Sequence, residues 1–300
     1  MNKWDINRLV LGTAQFGLSY GLAAGHTQVP ADEVNLILEK AHEAGIERLD
    51  TAASYGVSEC VLGKTDLISI FKTTTKTLPI RERVIDESHM IKIQNGFHQS
   101  LLKLKSNQID TLLVHDVQDL LAEGGEVLWS WMEHIKDNGT VSRIGVSVYD
   151  SHSAKVVYEN FKFDVVQIPY NVFDQRIENE GFIDFCVSNS IAMQVRSVFL
   201  QGIVLMNPNN IPSHLSGFLP YLNKMEQICM DADLTAQELS LAFVARRPEI
   251  ENIIIGVHDL NQLDMLINAW KKIQSSHYHI DWNYIQCPEV NLIDPRMWIL

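Results

Sequence analysis

Cysteine is scarce in this chain of 300 residues. Cys60, Cys186, Cys229 and Cys287 lie far apart and no CxxC pair occurs. That spacing excludes a disulfide framework or a zinc ribbon and fits reduced thiols in a cytoplasm. Long apolar runs are missing: nothing approaches the roughly 18 residues of a membrane span. The opening MNKWDINRLVLG has no apolar stretch before a small-residue cleavage site, so no signal peptide is expected and the cytoplasm is the expected location. Positive charge is in short supply. Lys and Arg total 24 against 37 Asp and Glu, a formal net charge of −13, which argues against a nucleic-acid partner. A small acidic substrate would need a locally basic site. No low-complexity segment or linker divides the chain, and nothing in it reports the oligomeric state.

What is present is alternation. Eight brief, mostly apolar runs read as buried parallel strands: Leu9–Gly12, Arg48–Asp50, Ile70–Thr75, Thr111–His115, Arg143–Val146, Val165–Ile168, Met193–Ser197 and Ile253–Gly256. Between them apolar residues recur at helical spacing. Val34, Leu38, Ala41 and Ala44 share one face and Gly45 ends it; Ile93, Phe97, Leu101 and Leu104 form another. Leu128, Trp131, Met132 and Ile135 precede the stop at Asn138-Gly139. Thr235 and Glu238 form a capping box ahead of Leu239, Ala242 and Phe243, and Leu263, Ile267 and Trp270 make the last face.

Repeating strand–helix units mean a parallel sheet, open or closed. An open dinucleotide-binding sheet would carry GxGxxG where the first strand enters its helix; Gly12-Thr13-Ala14-Gln15-Phe16-Gly17 does not match. The expected fold is therefore a single-domain α/β (β/α)8 barrel over residues 1–300, a length such barrels commonly reach. Residues 202–217, rich in Asn and Pro, read as a long loop, and residues 274–300 as an aromatic tail near a barrel mouth.

Barrel chemistry sits at the C-terminal ends of the strands. Asp50 and Tyr55 follow the second strand, Lys76 the third, and His115 closes the fourth. Lys72 shares a face with Lys76, but only Lys76 is at the strand end. A phenol near pKa 10 is a poor proton shuttle at neutral pH, and a neighbouring ammonium would lower it. A carboxylate would hold that lysine, and a histidine could orient a carbonyl. Taken singly, each has a bland reading: Tyr55 packs, Asp50 caps, His115 is a satisfied core residue. The pair His277 and His279 lacks a third ligand and reads as surface, so no metal is expected.

The run Asp50-Thr51-Ala52-Ala53-Ser54-Tyr55-Gly56, continued by Ser58-Glu59 and Leu62-Gly63, resembles the aldo-keto reductase signature DTAxxYGxSExxLG. Thr75-Lys76, Leu112–His115, Arg143–Ser147 and Val165–Asn171 resemble that family's later strands, in order, from about Leu9 to Trp270. The resemblance implies an enzyme: an NAD(P)-dependent oxidoreductase acting on a small carbonyl or alcohol. In it Tyr55 is the proton donor, tuned by Lys76 and Asp50, and His115 orients the carbonyl. Ser147 and Gln167 would hold the nicotinamide carboxamide, although Val148 stands where many members have Asn. Thr13, Ser197, Leu200, Gly202, Gly256 and Gln262 would complete the coenzyme site. The family default is NADP(H), expected here ahead of NAD(H). Yet Val257-His258-Asp259 follows Gly256 where members usually place Lys, Arg or Ser for the 2′-phosphate; Asp259 would oppose that group while His258 or a helix N-terminus could support it, which leaves NADP against NAD open.

Gln15, Phe16 and Tyr20, with Phe173, suggest a substrate pocket with aromatic walls. Loops 15–27, 117–124 and 172–180 and the tail after Ile273 are the expected sources of specificity. VQIPYNVFDQR, RSVFLQG and a closing DPRMW are similar to a bacterial subgroup linked to sugar and surface-polysaccharide metabolism, which implies a sugar-like substrate. Two other functions compete: a non-catalytic nicotinamide-binding barrel acting as a sensor or subunit, and a lyase or isomerase using Lys76 as a Schiff base. The complete set of Asp50, Tyr55, Lys76 and His115 favours the reductase. Metal-dependent hydrolysis is disfavoured by the single histidine at the strand ends.

Overall fold

Eight short strands form in a computed structural model that describes residues 4–22, 27–274 and 278–298. They are β1 (Leu9–Gly12), β2 (Arg48–Asp50), β3 (Lys72–Lys76), β4 (Ile109–Val114), β5 (Val141–Ser147), β6 (Val165–Pro169), β7 (Ala192–Arg196) and β8 (Ile250–Gly256). Neighbours pair in parallel in chain order and β8 returns to β1, closing a barrel. A helix follows each strand: Ala31–Glu43, Ser58–Leu62, Glu87–Lys103, Gly125–Asp137, Ser151–Asn160, Phe182–Ser188, Ala236–Ala245 and Leu260–Gln274. The molecule is a single-domain (β/α)8 barrel. Among the described residues, no helix is long and apolar enough to cross a membrane.

The helical spacing read from the sequence corresponds to real faces. Val34, Leu38 and Ala41 are fully buried, and Gly45 adopts φ +91° just past the end of its helix. Thr235 and Glu238 make the reciprocal capping box. Trp270 is fully buried, its indole N–H donating to Trp4 O at 3.2 Å.

Three local readings need correction. Ile68–Ile70 is a 3-10 turn, so β3 begins two residues later than predicted, and Ile70 is exposed. His115 and Ser197 each lie one residue beyond their strands. The expected loop over 202–217 is not irregular: 3-10 turns at Leu200–Leu205, Pro208–Asn210 and Ser213–Phe218 lead into the helix Leu219–Ala232, with Leu215 and Phe218 buried. Proline starts such turns readily because its fixed φ suits their first position.

Register decides which side chains enter the barrel. Gly12 aligns with Asp50, Asp50 with Thr74, Thr74 with Thr111. Higher up, Ser147, Gln167, Gln194 and Asn252 are aligned across β5 to β8. Paired residues of neighbouring strands face the same way, so these polar side chains share the interior. Gln167 Nε2, on β6, spans the barrel to Asp50 Oδ1 on β2 at 2.7 Å and also reaches Gln194 Oε1 at 3.2 Å. At the opposite end of the strands, Asp110 accepts from Arg48 (2.8 Å) and Arg143 (3.1 Å), and Arg143 also bonds Glu251 at 2.8 Å. Pairings of this kind hold a polar interior together.

The four cysteines are free, and burial pushes the Cys186 thiol up to about 12, so it is inert at neutral pH.

Candidate active site

The C-terminal ends of the strands enclose a cavity of about 1030 Å³. At its base lies a buried ion pair. Lys76, at the last position of β3, donates to Asp50 Oδ1 at 2.8 Å, Asp50 Oδ2 at 2.7 Å and Thr51 O at 2.8 Å. All three ammonium hydrogens are thereby used. Burial lowers the Lys76 pKa against the pull of Asp50.

Tyr55 projects from the loop after β2, and Lys76 Nζ sits 4.9 Å from its ring centroid. The expected lowering of Tyr55 does not occur. Burial and the Asp50 carboxylate raise its pKa above the ordinary tyrosine value, and Arg196 only partly offsets them. The physical reason is burial first, which disfavours a phenolate, and then the like charge of Asp50. The Tyr55 and His115 rings meet edge to face at 5.9 Å, and Ser54 Oγ lies 3.1 Å from His115 Nδ1. Burial, then Lys76 and Arg196, push the His115 pKa down to about 3. The imidazole is therefore neutral at pH 7 and offers one N–H.

The signature residues around Tyr55 work structurally. Ser58 Oγ bonds Thr13 O at 2.8 Å, tying this loop to the end of β1. Glu59, buried, accepts from Thr75 Oγ1 at 2.8 Å and Ser100 Oγ at 3.0 Å. Gly56 has φ +55°, and a Cβ there would stand 2.3 Å from Gly17 O. A Cβ on Gly17 would stand 1.9 Å from Tyr55 O. Two glycines thus let the β1 and β2 loops touch backbone to backbone, which places Tyr55.

Most of the remaining predicted residues line the cavity: Thr13, Gln15, Tyr20, Ser147, Gln167, Ser197, Gly202, Gly256 and Gln262. Two do not. Phe16 is fully buried in the core, because it follows Gln15 on the short helix Ala14–Gly17 and faces away from it. Leu200 is fully buried beneath the β7 loop. Phe173 is likewise buried, stacked on Phe218 at 5.9 Å, and the 172–180 loop contributes nothing to the lining. It anchors the tail instead: Gln175 Nε2 donates to Trp282 O at 2.7 Å and Cys287 N to Phe173 O at 3.0 Å. The tail brings Arg296 to the cavity. His277 lies outside the described residues, so the expected His277 and His279 pair cannot be placed.

Sequence reading missed four wall residues: Arg81, Tyr149, Arg196 and Arg296. Arg196 stood inside the quoted RSVFLQG run; its position two residues beyond inward-facing Gln194 was the available signal. After β7 the backbone is strained, with positive φ at Ser197, Leu200 and Gln201. Asn171 Nδ2 steadies this loop through Ser197 O at 3.0 Å.

Gln167 Oε1 is buried and has no hydrogen-bond partner among the described residues. Beside Ser147, it is an acceptor waiting for an amide N–H, as a nicotinamide carboxamide would supply. The set therefore fits that coenzyme.

In fold, the chain is similar to aldo-keto reductase AKR11C1 from Bacillus halodurans in its holo form, with a TM-score of 0.69 and 18% identity over 91% of this chain and 94% of that one. It is also similar to a putative aldo-keto reductase from Pseudomonas aeruginosa, with a TM-score of 0.65 and 17% identity over 89% and 90%. No curated protein sequence matches it. The profile of the Aldo/keto reductase family matches residues 8–282, and the chain belongs to that family.

Proposed function

We propose that this protein is a nicotinamide-dependent carbonyl reductase in which Tyr55 delivers the proton. Family membership makes it an oxidoreductase of carbonyl compounds. The observation that carries the finer reading is the Tyr55–Lys76–Asp50–His115 cluster at the floor of one large cavity.

Gln167 and Ser147 would hold the carboxamide, and Thr13, Ser197, Gly202, Gly256 and Gln262 the rest of the coenzyme, which when bound supplies the hydride. The chain's own residues do the remainder. His115, neutral, donates its one ring N–H to the carbonyl oxygen; Ser54 Oγ is 3.1 Å from Nδ1, and a hydroxyl that donates there leaves the hydrogen on Nε2. Tyr55, kept protonated by burial and by Asp50, passes its hydroxyl proton to the same oxygen as charge develops there. A phenol held in its acid form suits reduction. Lys76 and Asp50 do not touch the carbonyl; they fix the floor on which Tyr55 rests. The subgroup resemblance adds a sugar-like or hydroxycarbonyl substrate.

NADP(H) is the coenzyme the family favours. The wall after β8 works against its 2′-phosphate. Glu33 Oε1 accepts from Leu260 N at 2.8 Å and Asp259 Oδ1 from Gln262 N at 2.7 Å, so carboxylates occupy the N–H groups that open helix Leu260–Gln274. Titration with NADPH and NADH, followed by tryptophan fluorescence, tests the assignment. Saturable quenching by one of them is expected, and quenching by neither would end the redox reading.

The placement of Tyr55 by two glycines has its own consequence. Gly17→Ala must push Tyr55 O away, and a shift of about 1 Å in a reacting group can cost on the order of 10²-fold. We expect kcat for carbonyl reduction to fall by about that factor while coenzyme affinity stays near wild type. Unchanged kcat would show that the contact does not position Tyr55.

A further inference from the structure

We infer that the substrate carries a negative charge of its own, a carboxylate or a phosphate, and that Arg196 receives it. This rests on the reductase reading above and narrows its substrate class. Arg196 ends β7, faces inward two residues after Gln194, and lines the cavity. Its hydrogen bonds go to neutral acceptors, Val148 O at 3.1 Å and Ser197 Oγ at 3.4 Å, and its guanidinium lies over the Tyr149 ring at 4.3 Å. Five N–H donors are available to it. None of the ion pairs among the described residues includes it.

Five other part-buried arginines meet carboxylates: Arg48 and Arg143 on Asp110, Arg176 on Asp174, Arg246 and Arg247 on Glu178. Arg8, fully buried outside the cavity, donates to the carbonyl oxygens of Ile250, Ala245 and Arg247. The acids that line the cavity are already engaged. Asp50 holds Lys76, Asp116 holds Arg81 at 2.9 Å, and Asp150 accepts from Ser153 N and Oγ. Neither a neutral sugar nor a neutral aldehyde would balance Arg196, whereas a carboxylate or phosphate matches the guanidinium fork.

Two further arginines line the same cavity, each already paired with an acid. Arg296 lies on the same Tyr149 ring at 3.8 Å while bonded to Asp294 at 2.6 Å. Arg81 is held in the left-handed region, φ +61°, by buried Asp119, which accepts from Ile80 N and Arg81 N at 2.9 and 2.7 Å. Strain of that kind persists where function needs the placement.

The test uses matched carbonyl pairs differing in charge: succinic semialdehyde against butanal, and glyceraldehyde 3-phosphate against glyceraldehyde. Coenzyme oxidation is followed in wild type, Arg196→Gln and Arg196→Lys, with thermal melts to check folding. We expect the charged member of one pair to show a kcat/KM about ten- to a hundredfold higher, mostly through KM, since a hydrogen bond to a charged group is worth roughly that factor. Which pair shows it tells carboxylate from phosphate. In Arg196→Gln the charged-to-neutral ratio should fall to near one, with Arg196→Lys intermediate and high salt eroding the preference. Equal use of both members in both pairs overturns the inference and leaves the reductase reading standing. So does a parallel loss in Arg196→Gln that preserves the ratio, which would mark Arg196 as a structural clasp on Val148. If coenzyme binds and no aldehyde of either kind is reduced, the reductase reading fails and this inference falls with it.

Discussion

Replacing Tyr55 by Phe is expected to lower kcat/KM for carbonyl reduction by about 10²–10⁴-fold, the usual contribution of a positioned proton donor. The ring packing on His115 at 5.9 Å and beneath Lys76 survives the change, so coenzyme quenching should be unaltered and the loss confined to turnover. The pH profile supplies an independent check. A proton donor is lost as pH rises through its pKa, and Tyr55 is raised above the ordinary value of 10.0. His115 gains its second proton only near pH 3. Reduction by the wild type should therefore be level across the neutral range, with no inflection at the ordinary histidine pKa, and should decline only beyond about pH 10. An inflection near pH 7 would assign the proton to another group.

Lys76→Met is expected to destabilise the fold by about 3–5 kcal/mol, because it leaves the Asp50 carboxylate buried without its cation. The side chains of Lys76 and Asp50 are 1% and 5% exposed, and both Asp50 oxygens receive Lys76 Nζ, so water cannot take the lysine's place. The companion variant Asp50→Asn with Lys76→Met removes both charges and still presents an oxygen to Gln167 Nε2, so it should regain much of that loss. Denaturant midpoints at constant m-value measure both. A single-variant loss below about 1 kcal/mol would mean that the pair does not hold the barrel floor.

The cluster of Asp50, Tyr55, Lys76 and His115 was legible in the sequence because its residues stand at or just after strand ends, and strand ends follow from local pattern. Asp50, Lys76 and His115 were found by counting along apolar runs, and Tyr55 by the signature in which it sits. Phe16 was misread because, beside Gln15 in one short helix, sequence does not say which neighbour turns inward. Leu200 was misread because three left-handed residues after β7 redirect the chain. The direction of the Tyr55 shift was also misjudged: the Lys76–Asp50 pair was visible, but the burial of Tyr55 that outweighs it was not.

Sequence by itself determined the barrel and the order of its strands, and it placed Asp50, Tyr55, Lys76 and His115 at one end of it, since alternation, helix caps and strand ends are short-range properties. Only the tertiary structure decided which cations line the cavity. Arg81, Arg196 and Arg296 come from the β3 loop, the end of β7 and the tail, and nothing local marks them as neighbours. Closure of the sheet brings them to one opening, where the pairing of each with an acid, or its lack of one, is set by distances across the barrel.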